Sequence, residues 1–212
     1  ASDWSSDVCS SDLSNMMDKV PNIANYATQS KMMSKGTYAV NNGSYNFGTF
    51  NGKLFFPDQR YRGNNNYGYV LKEDNPMREI LGCMRDIENI HGTEYPDLYR
   101  TETYGLDGYR FKVPNGTYLV KMYMKVGYKK AFKNGNFHFS VNAQGKPWAK
   151  INIHELCKQD VDCAGVFEKE VTVDNGLLEL DFLIDPPKPG ERESNGTERM
   201  LNGIEVIPVS GK

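Results

Sequence analysis

The sequence predicts an all-β fold, an antiparallel sandwich of jelly-roll type, and three observations carry that expectation. Apolar residues alternate with polar ones at a period of two through the second half of the chain. Asn-Gly pairs recur at Asn42, Asn51, Asn115, Asn134, Asn175, Asn195 and Asn202; both residues accept positive φ, so the pair is a strong turn signal. The length, 212 residues, suffices for one sandwich with a sizeable core.

The elements follow in order. Residues 14–36 space Met16, Met17, Val20, Ile23, Met32 and Met33 weakly like a helix, as a linker or helical lead-in would. Thr37 to Val40 opens the strand pattern. The stretch around 77–90 departs from it: Ile80, Leu81, Met84, Ile87 and Ile90 fit a short amphipathic helix, with Asn75-Pro76 as its start. Strands then resume. Tyr109, Phe111 and Val113 alternate with Arg110 and Lys112, and beyond the turn at 114–117 come Tyr118, Val120, Met122, Met124 and Val126. Phe137, Phe139 and Val141 alternate with His138 and Ser140, which leaves His138 facing solvent. Val171 and Val173 lead through Asn175-Gly176 to Leu178, Leu180 and Phe182. Pro186, Pro187 and Pro189 exclude a central strand there, and Ile204 and Val206 close the domain. One apolar and one polar face per strand is the mark of antiparallel sheets packed face to face.

Composition narrows the function classes. The formal charge is -2 and the pI about 6.0, without the basic footprint of a nucleic-acid binder. No apolar run reaches the length of a membrane-spanning helix. Neither nucleic acid nor membrane is therefore an expected partner. Tyrosine supplies 13 residues, and a ring with a hydroxyl suits half-exposed recognition surfaces. Trp4 to Leu13 read as the in-frame translation of a sequencing adapter, TGG AGT TCA GAC GTG TGC TCT TCC GAT CT, a likeness to a known oligonucleotide. On that reading residues 1–13 stand outside the folded unit, the gene is a metagenomic assembly, and a signal peptide is not observable.

Three cysteines then remain. Cys157 and Cys163 stand six positions apart in a loop-like stretch, where a local disulfide and a free pair are both open; the spacing matches no common zinc pattern. Cys83 reads as a small buried hydrophobe. Trp148, after the Gly145-Lys146-Pro147 turn, reads as core rather than a sugar platform. Lys125, Lys129, Lys130 and Lys133 read as a solvated basic face, with contact to an acidic or sulfated polysaccharide as the alternative. Asn42-Gly43-Ser44, Asn115-Gly116-Thr117 and Asn195-Gly196-Thr197 fit the glycosylation sequon and equally fit turns.

Several blocks, in order, resemble the malectin family. They are Tyr38 to Gly43, Phe56 to Tyr61, Asn66 to Val70, Leu98 to Tyr104, Val113 to Lys121 and Asn202 to Val206, spanning residues 37–209. Malectin is a lectin of the endoplasmic reticulum, and bacterial relatives are often appended to glycoside hydrolases. The resemblance implies a non-catalytic carbohydrate-binding module, secreted, periplasmic or at the cell surface. Its partners would be a glycan and a glycoside hydrolase domain of the same full-length protein. By position Tyr67, Tyr104 and Tyr128 match the family's loop aromatics, while Lys129 stands where another aromatic is usual. The family acid falls near Thr197 or Glu198, and Lys125-Val126 replaces a usual glutamate.

The expected carbohydrate site is Tyr67, Tyr69, Tyr104 and Tyr128 as ring platforms, with Asn66, Lys129 and Glu198 as polar contacts. Sugar rings present apolar faces to aromatic rings and a rim of hydroxyls to amides and charges. No cofactor is implied. Structural calcium is compatible with such sandwiches, but no dense acidic loop marks a place for it. Two other classes stay open: a jelly-roll polysaccharide lyase or glycoside hydrolase, and a protein-interaction module with no glycan site.

Overall fold

A computed structural model describes residues 23–75, 80–83, 89–126, 137–186 and 198–209. Fourteen strands form three sheets among these residues. The first sheet takes β1 (Tyr38–Asn41), β2 (Gly48–Phe50), β3 (Lys53–Pro57), β8 (Gly116–Met124), β11 (Gly165–Val173) and β14 (Gly203–Pro208), in the order β11-β8-β14-β1-β3-β2. The second takes β4 (Tyr67–Val70), β7 (Gly108–Lys112), β9 (His138–Ala143), β10 (Lys146–Asn152) and β12 (Leu177–Ile184), in the order β10-β9-β12-β7-β4. A small third sheet sets β6 (Thr101–Tyr104) between β5 (Ile80–Cys83) and β13 (Met200–Leu201). Pairing is antiparallel except between β1 and β3. The all-β sandwich expected from the sequence is the fold observed.

The period of two decides the core. From the first sheet, Tyr38, Val40, Val120, Met122, Met124, Ile204 and Val206 point inward; from the second, Tyr109, Phe111, Phe139, Val141, Leu180 and Phe182 meet them. The opposite face of the first sheet is covered as well. Ala39, Phe55 and Tyr123 alternate outward and bury against Tyr95, Leu98 and Tyr99. Leu98 and Tyr99 belong to a 3-10 turn, Pro96–Arg100. Glu205 shares this outer face, held by an ion pair with Lys53 and by the Tyr123 hydroxyl at 2.8 Å. Buried carboxylates occur where such partners exist. Trp148 on β10 and Phe167 on β11 meet edge to face at 5.6 Å and join the outermost strands of the two sheets. Trp148 is thus a packing residue, as its sequence context suggested.

Two readings need correction. The amphipathic spacing over 77–90 does not give a helix at its centre: Ile80–Cys83 is a strand paired with Thr101–Tyr104, and residues 76–79 and 84–88 lie outside the described residues. A short apolar run fits either state, and pairing with β6 decides it. The helical lead-in is confined, among the described residues, to α1 (Ile23–Met33). The Asn-Gly pairs also mark turns more often than hairpins. Asn51-Gly52 closes the β2–β3 hairpin, with φ of 47° and 76°. Asn115-Gly116 and Asn175-Gly176 instead carry the chain from one sheet to the other. The other tight hairpin, β9 to β10, turns on Gln144-Gly145, with φ of 51° and 71°.

Candidate functional site

One buried carboxylate organises the loops around the mouth of β3, β4 and β6. Asp58 follows β3 directly and is 4% exposed. Its Oδ1 accepts from the Tyr109 hydroxyl at 2.5 Å and from the Gln59 amide at 3.0 Å. Its Oδ2 accepts from the Thr103 hydroxyl at 2.6 Å, and from Asn42 Nδ2 and the Gly43 amide, each at 3.1 Å. Burial pushes its pKa up, while the bonds from Thr103, Tyr109, Gly43 and Asn42 oppose the rise. Gly43 approaches so closely that a Cβ would stand 2.3 Å from the Glu102 carbonyl oxygen, with φ at +79°. Asn42 is fully buried in this network, so its sequon reads as a turn, not a glycan acceptor.

A second polar knot lies beyond it. Asp107 accepts from Arg199 at 2.5 Å, Asn75 at 2.6 Å and the Lys72 amide at 2.7 Å. Burial works to raise this carboxyl, but the three bonds and the Arg199 charge outweigh it and hold the pKa low.

Between Asp58 and β4 the chain builds a cleft. The Tyr69 amide donates to the Gln59 carbonyl at 2.9 Å and the Tyr61 amide to the Tyr69 carbonyl at 2.8 Å, which lays residues 59–61 alongside β4. Gly68 permits that approach: at φ +155° its Cβ would fall 2.4 Å from the Gln59 carbonyl oxygen. Asn65 then locks the loop. Its Oδ1 accepts from the Arg62 amide at 3.0 Å and its Nδ2 donates to the Arg60 carbonyl at 2.8 Å. Lys112 Nζ adds a bond to the Gly63 carbonyl at 2.8 Å. The resulting cleft measures about 460 Å³ and is lined by Tyr45, Asp58, Gln59, Arg60, Arg62, Asn64, Asn65 and Tyr69. Tyr45 is 68% exposed. Its loop is anchored where the Asp58 amide donates to the Ser44 carbonyl at 2.7 Å.

The residues expected from the sequence divide. Tyr69 borders the cleft, but it is 5% exposed and packs in the core, so its ring is not an open platform. Asn66, exposed, sits beside the cleft at the start of β4, its carbonyl accepting from the Lys112 amide at 2.7 Å. Tyr67 is not a ring platform. It is 3% exposed, packs among Tyr38, Phe56 and Phe111, and donates its hydroxyl to the Pro57 carbonyl at 2.7 Å. Alternation along β4 turns it inward opposite Phe111. Tyr104 is half-buried on β6, one position past Thr103, outside the cleft lining. Glu198 is half-buried two residues before Met200, the register partner of Tyr104. Tyr128 and Lys129 lie outside the described residues.

Other charged and sulfur groups also settle differently from expectation. Lys125 is not on a solvated face; it is 2% exposed and acts on Glu102. Burial pushes the Glu102 carboxyl up to about 7, and the Lys125 charge pulls against it. Glu102 Oε2 is buried without a hydrogen-bond partner among the described residues. His138 is half-buried, with Nδ1 3.3 Å from Asp185, because Asp185 follows the strand β12 that pairs with β9. Cys157 and Cys163 are buried free thiols rather than a disulfide. Cys83 lies on β5. Among the described residues no cluster of three His, Cys, Asp or Glu side chains is placed to hold a metal ion, and no helix is long and apolar enough to cross a membrane.

Sequence reasoning missed Tyr45, Gln59, Arg60, Arg62, Asn64 and Asn65. A signal was present in Arg60-Tyr61-Arg62-Gly63-Asn64-Asn65-Asn66, a polar, turn-rich loop delivered straight into an apolar strand.

The architecture is an all-β sandwich with a polar, loop-built cleft at the strand ends. The Malectin domain family matches residues 36–207, and the chain belongs to that family, whose fold is a carbohydrate-binding one. No curated protein matches the sequence. Among solved structures it is similar to a Bacteroides uniformis beta-glucuronidase, at 23% identity and a TM-score of 0.62, over 83% of this chain and 18% of that one. It is also similar to the plant receptor-like kinase FER, at 17% identity and a TM-score of 0.59, over 82% and 50% of the two chains. The ANX1 ectodomain from Arabidopsis thaliana gives 16% identity and a TM-score of 0.54, over 82% and 41%. These likenesses concern the fold, and the chain spans half or less of each of those proteins.

Proposed function

We propose that this protein is a non-catalytic carbohydrate-binding module whose ligand lies in the cleft beside Tyr45. The observation that carries the reading is an exposed tyrosine ring facing a wall of amide and guanidinium groups held on hydrogen-bonded loops. A ring offers a face to sugar C–H groups, and amides offer donors and acceptors to hydroxyls. Rigid loops reduce the ordering cost of binding. Binding is favoured over hydrolysis because the only described carboxylate in the lining is Asp58, and both of its oxygens are already occupied. Hydrolysis of glycosides generally needs two working carboxyl groups.

The likeness to under a fifth of a beta-glucuronidase supports reading the chain as one module of a larger secreted, glycan-degrading protein. The likeness to the ANX1 ectodomain fits a location outside the cell. Tyr104 and Glu198 are the second candidate strip.

A glycan array followed by calorimetry on the best ligand tests this. The expected result is a dissociation constant between about 10 μM and 1 mM, which corresponds to roughly -7 to -4 kcal/mol, weakened at least tenfold in Tyr45→Ala. Unchanged binding in Tyr45→Ala with loss in Tyr104→Ala would move the site to the second strip. An empty array would remove the function.

A further inference from the structure

The helix α1, Ile23–Met33, lies ahead of the matched family residues 36–207, yet it touches two of the loops that supply the cleft lining. At 11 residues it would be marginal alone in water, and none of its residues is fully buried. One stripe holds it in place. Tyr26, Gln29 and Met33 fall at i, i+3 and i+7 and so share a face. Each meets a different part of the sandwich. The Tyr26 ring packs edge to face on Phe47, with centroids 5.0 Å apart. Gln29 Nε2 donates to the Tyr67 hydroxyl at 3.3 Å. Met33 Sδ, a weak acceptor, takes a bond from Asn66 Nδ2 at 3.9 Å. The chain then turns at Gly36, φ +70°, where the Gly36 and Thr37 amides donate to the Met33 and Met32 carbonyls at 2.9 and 3.0 Å.

Seven residues of helix rise about 10 Å. That span sets Tyr26 against the loop of Tyr45 and Met33 against the end of the loop that carries Asn64 and Asn65. The Tyr45 loop is pinned on both sides of its exposed ring. Before Tyr45, the Asp58 amide donates to the Ser44 carbonyl at 2.7 Å. After it, the half-buried Phe47 packs on two rings, Tyr26 at 5.0 Å and Phe56 at 6.5 Å. Phe56 is fully buried in the core, whereas Tyr26 is 51% exposed. Loss of the Tyr26 ring therefore frees one side of Phe47, two residues from Tyr45, without opening the core.

We infer that α1 belongs to the binding apparatus and that Tyr26 is a positioning residue for Tyr45, an assignment that rests on the cleft being the glycan site. Holding the loop in its bound shape beforehand lowers the ordering cost of binding.

The test uses the full chain as wild type, Tyr26→Ala, Tyr26→Phe, Tyr45→Ala and the Tyr26→Ala/Tyr45→Ala double variant. Heteronuclear NOEs of the amides of residues 44–47 report loop order in the free protein on the ps–ns scale. The binding probes are the immobilised oligosaccharides of a glycan array, titrated with each form. Tyr26→Ala is expected to lower the NOEs and to weaken binding roughly three- to tenfold, the worth of one aromatic pair. Tyr26→Phe, which keeps the ring, should restore both. In the Tyr45→Ala background Tyr26→Ala should cost nothing further, because the two residues act as a unit; a helix that only stabilised the fold would not distinguish the two backgrounds. Unchanged loop order or unchanged affinity in Tyr26→Ala overturns the assignment while the cleft stands, and so does an equal loss in both backgrounds. Binding that Tyr45→Ala leaves unchanged, or an array on which the wild type binds nothing, overturns the cleft reading and this assignment together.

Discussion

Replacing Asp58 by alanine should both destabilise the protein and dismantle the cleft. The carboxylate gathers donors from four separate places: the turn after β1, its own loop, β6 and β7. In Asp58→Ala the Thr103 and Tyr109 hydroxyls can rotate toward other acceptors. The amide hydrogens of Asn42 and Gly43 have no such freedom, and Asn42 is fully buried. A buried donor left unmade costs about 1–3 kcal/mol, so two or three of them together predict a loss of roughly 3–6 kcal/mol. Urea unfolding measures this directly. With a slope of about 2 kcal/mol per molar, the midpoint should fall by roughly 1.5–3 M. Asp58→Asn, which keeps one acceptor oxygen, should fall between the variant and the wild type. A midpoint for Asp58→Ala within about 0.3 M of wild type, under 1 kcal/mol at that slope, would refute the view that Asp58 ties the loops together.

Three further predictions concern the surroundings. The folded state holds the Glu102 proton to about pH 7, against 4.5 ordinarily. Between those values it binds more protons than the unfolded chain, so stability falls as pH rises, by up to about 3 kcal/mol. Glu102→Gln should therefore be more stable than wild type at pH 8 and show a flatter profile from pH 5 to 8; a variant no more stable at pH 8 contradicts this. Gly68→Ala should lose roughly 1–3 kcal/mol through strain at φ +155° and weaken glycan binding, because its Cβ meets the Gln59 carbonyl oxygen; unaltered thermal unfolding and binding would count against that contact. Burial pushes the Cys157 thiol up to about 12, so it should resist alkylation at pH 8 until urea unfolds the chain; rapid native labelling mapped to Cys157 by peptide mass would show the thiol to be accessible.

How far the fold could be read depended on which force decided each element. Where a strand has one face inward, as from Tyr118 to Met124, the alternation reports the core directly. Ile80–Cys83 defeated the same reasoning because a run this short, Ile-Leu-Gly-Cys, satisfies helix and strand alike, and only pairing with distant Thr101–Tyr104 chooses between them. The Asn115 and Asn175 turns were legible as turns, but the choice to cross between sheets belongs to packing. At the candidate site, tyrosine identity said nothing of direction. Tyr67 and Tyr69, two positions apart on one short strand, share a face and both bury in the core, opposite Phe111 and Tyr109, with Tyr69 only bordering the cleft. Tyr45 stood in a loop with no periodicity to report it. Lys125 and His138 looked solvated because the acids near them, Glu102 and Asp185, are remote in sequence.

Mapping amide chemical shifts while titrating the best array ligand into isotope-labelled protein tests the glycan cleft most directly. Shifts concentrated at residues 44–46, 58–65 and 69 are predicted, fading together in Tyr45→Ala. Shifts confined to the Trp148 edge or to the Tyr104 strip, with the cleft amides silent, would contradict it.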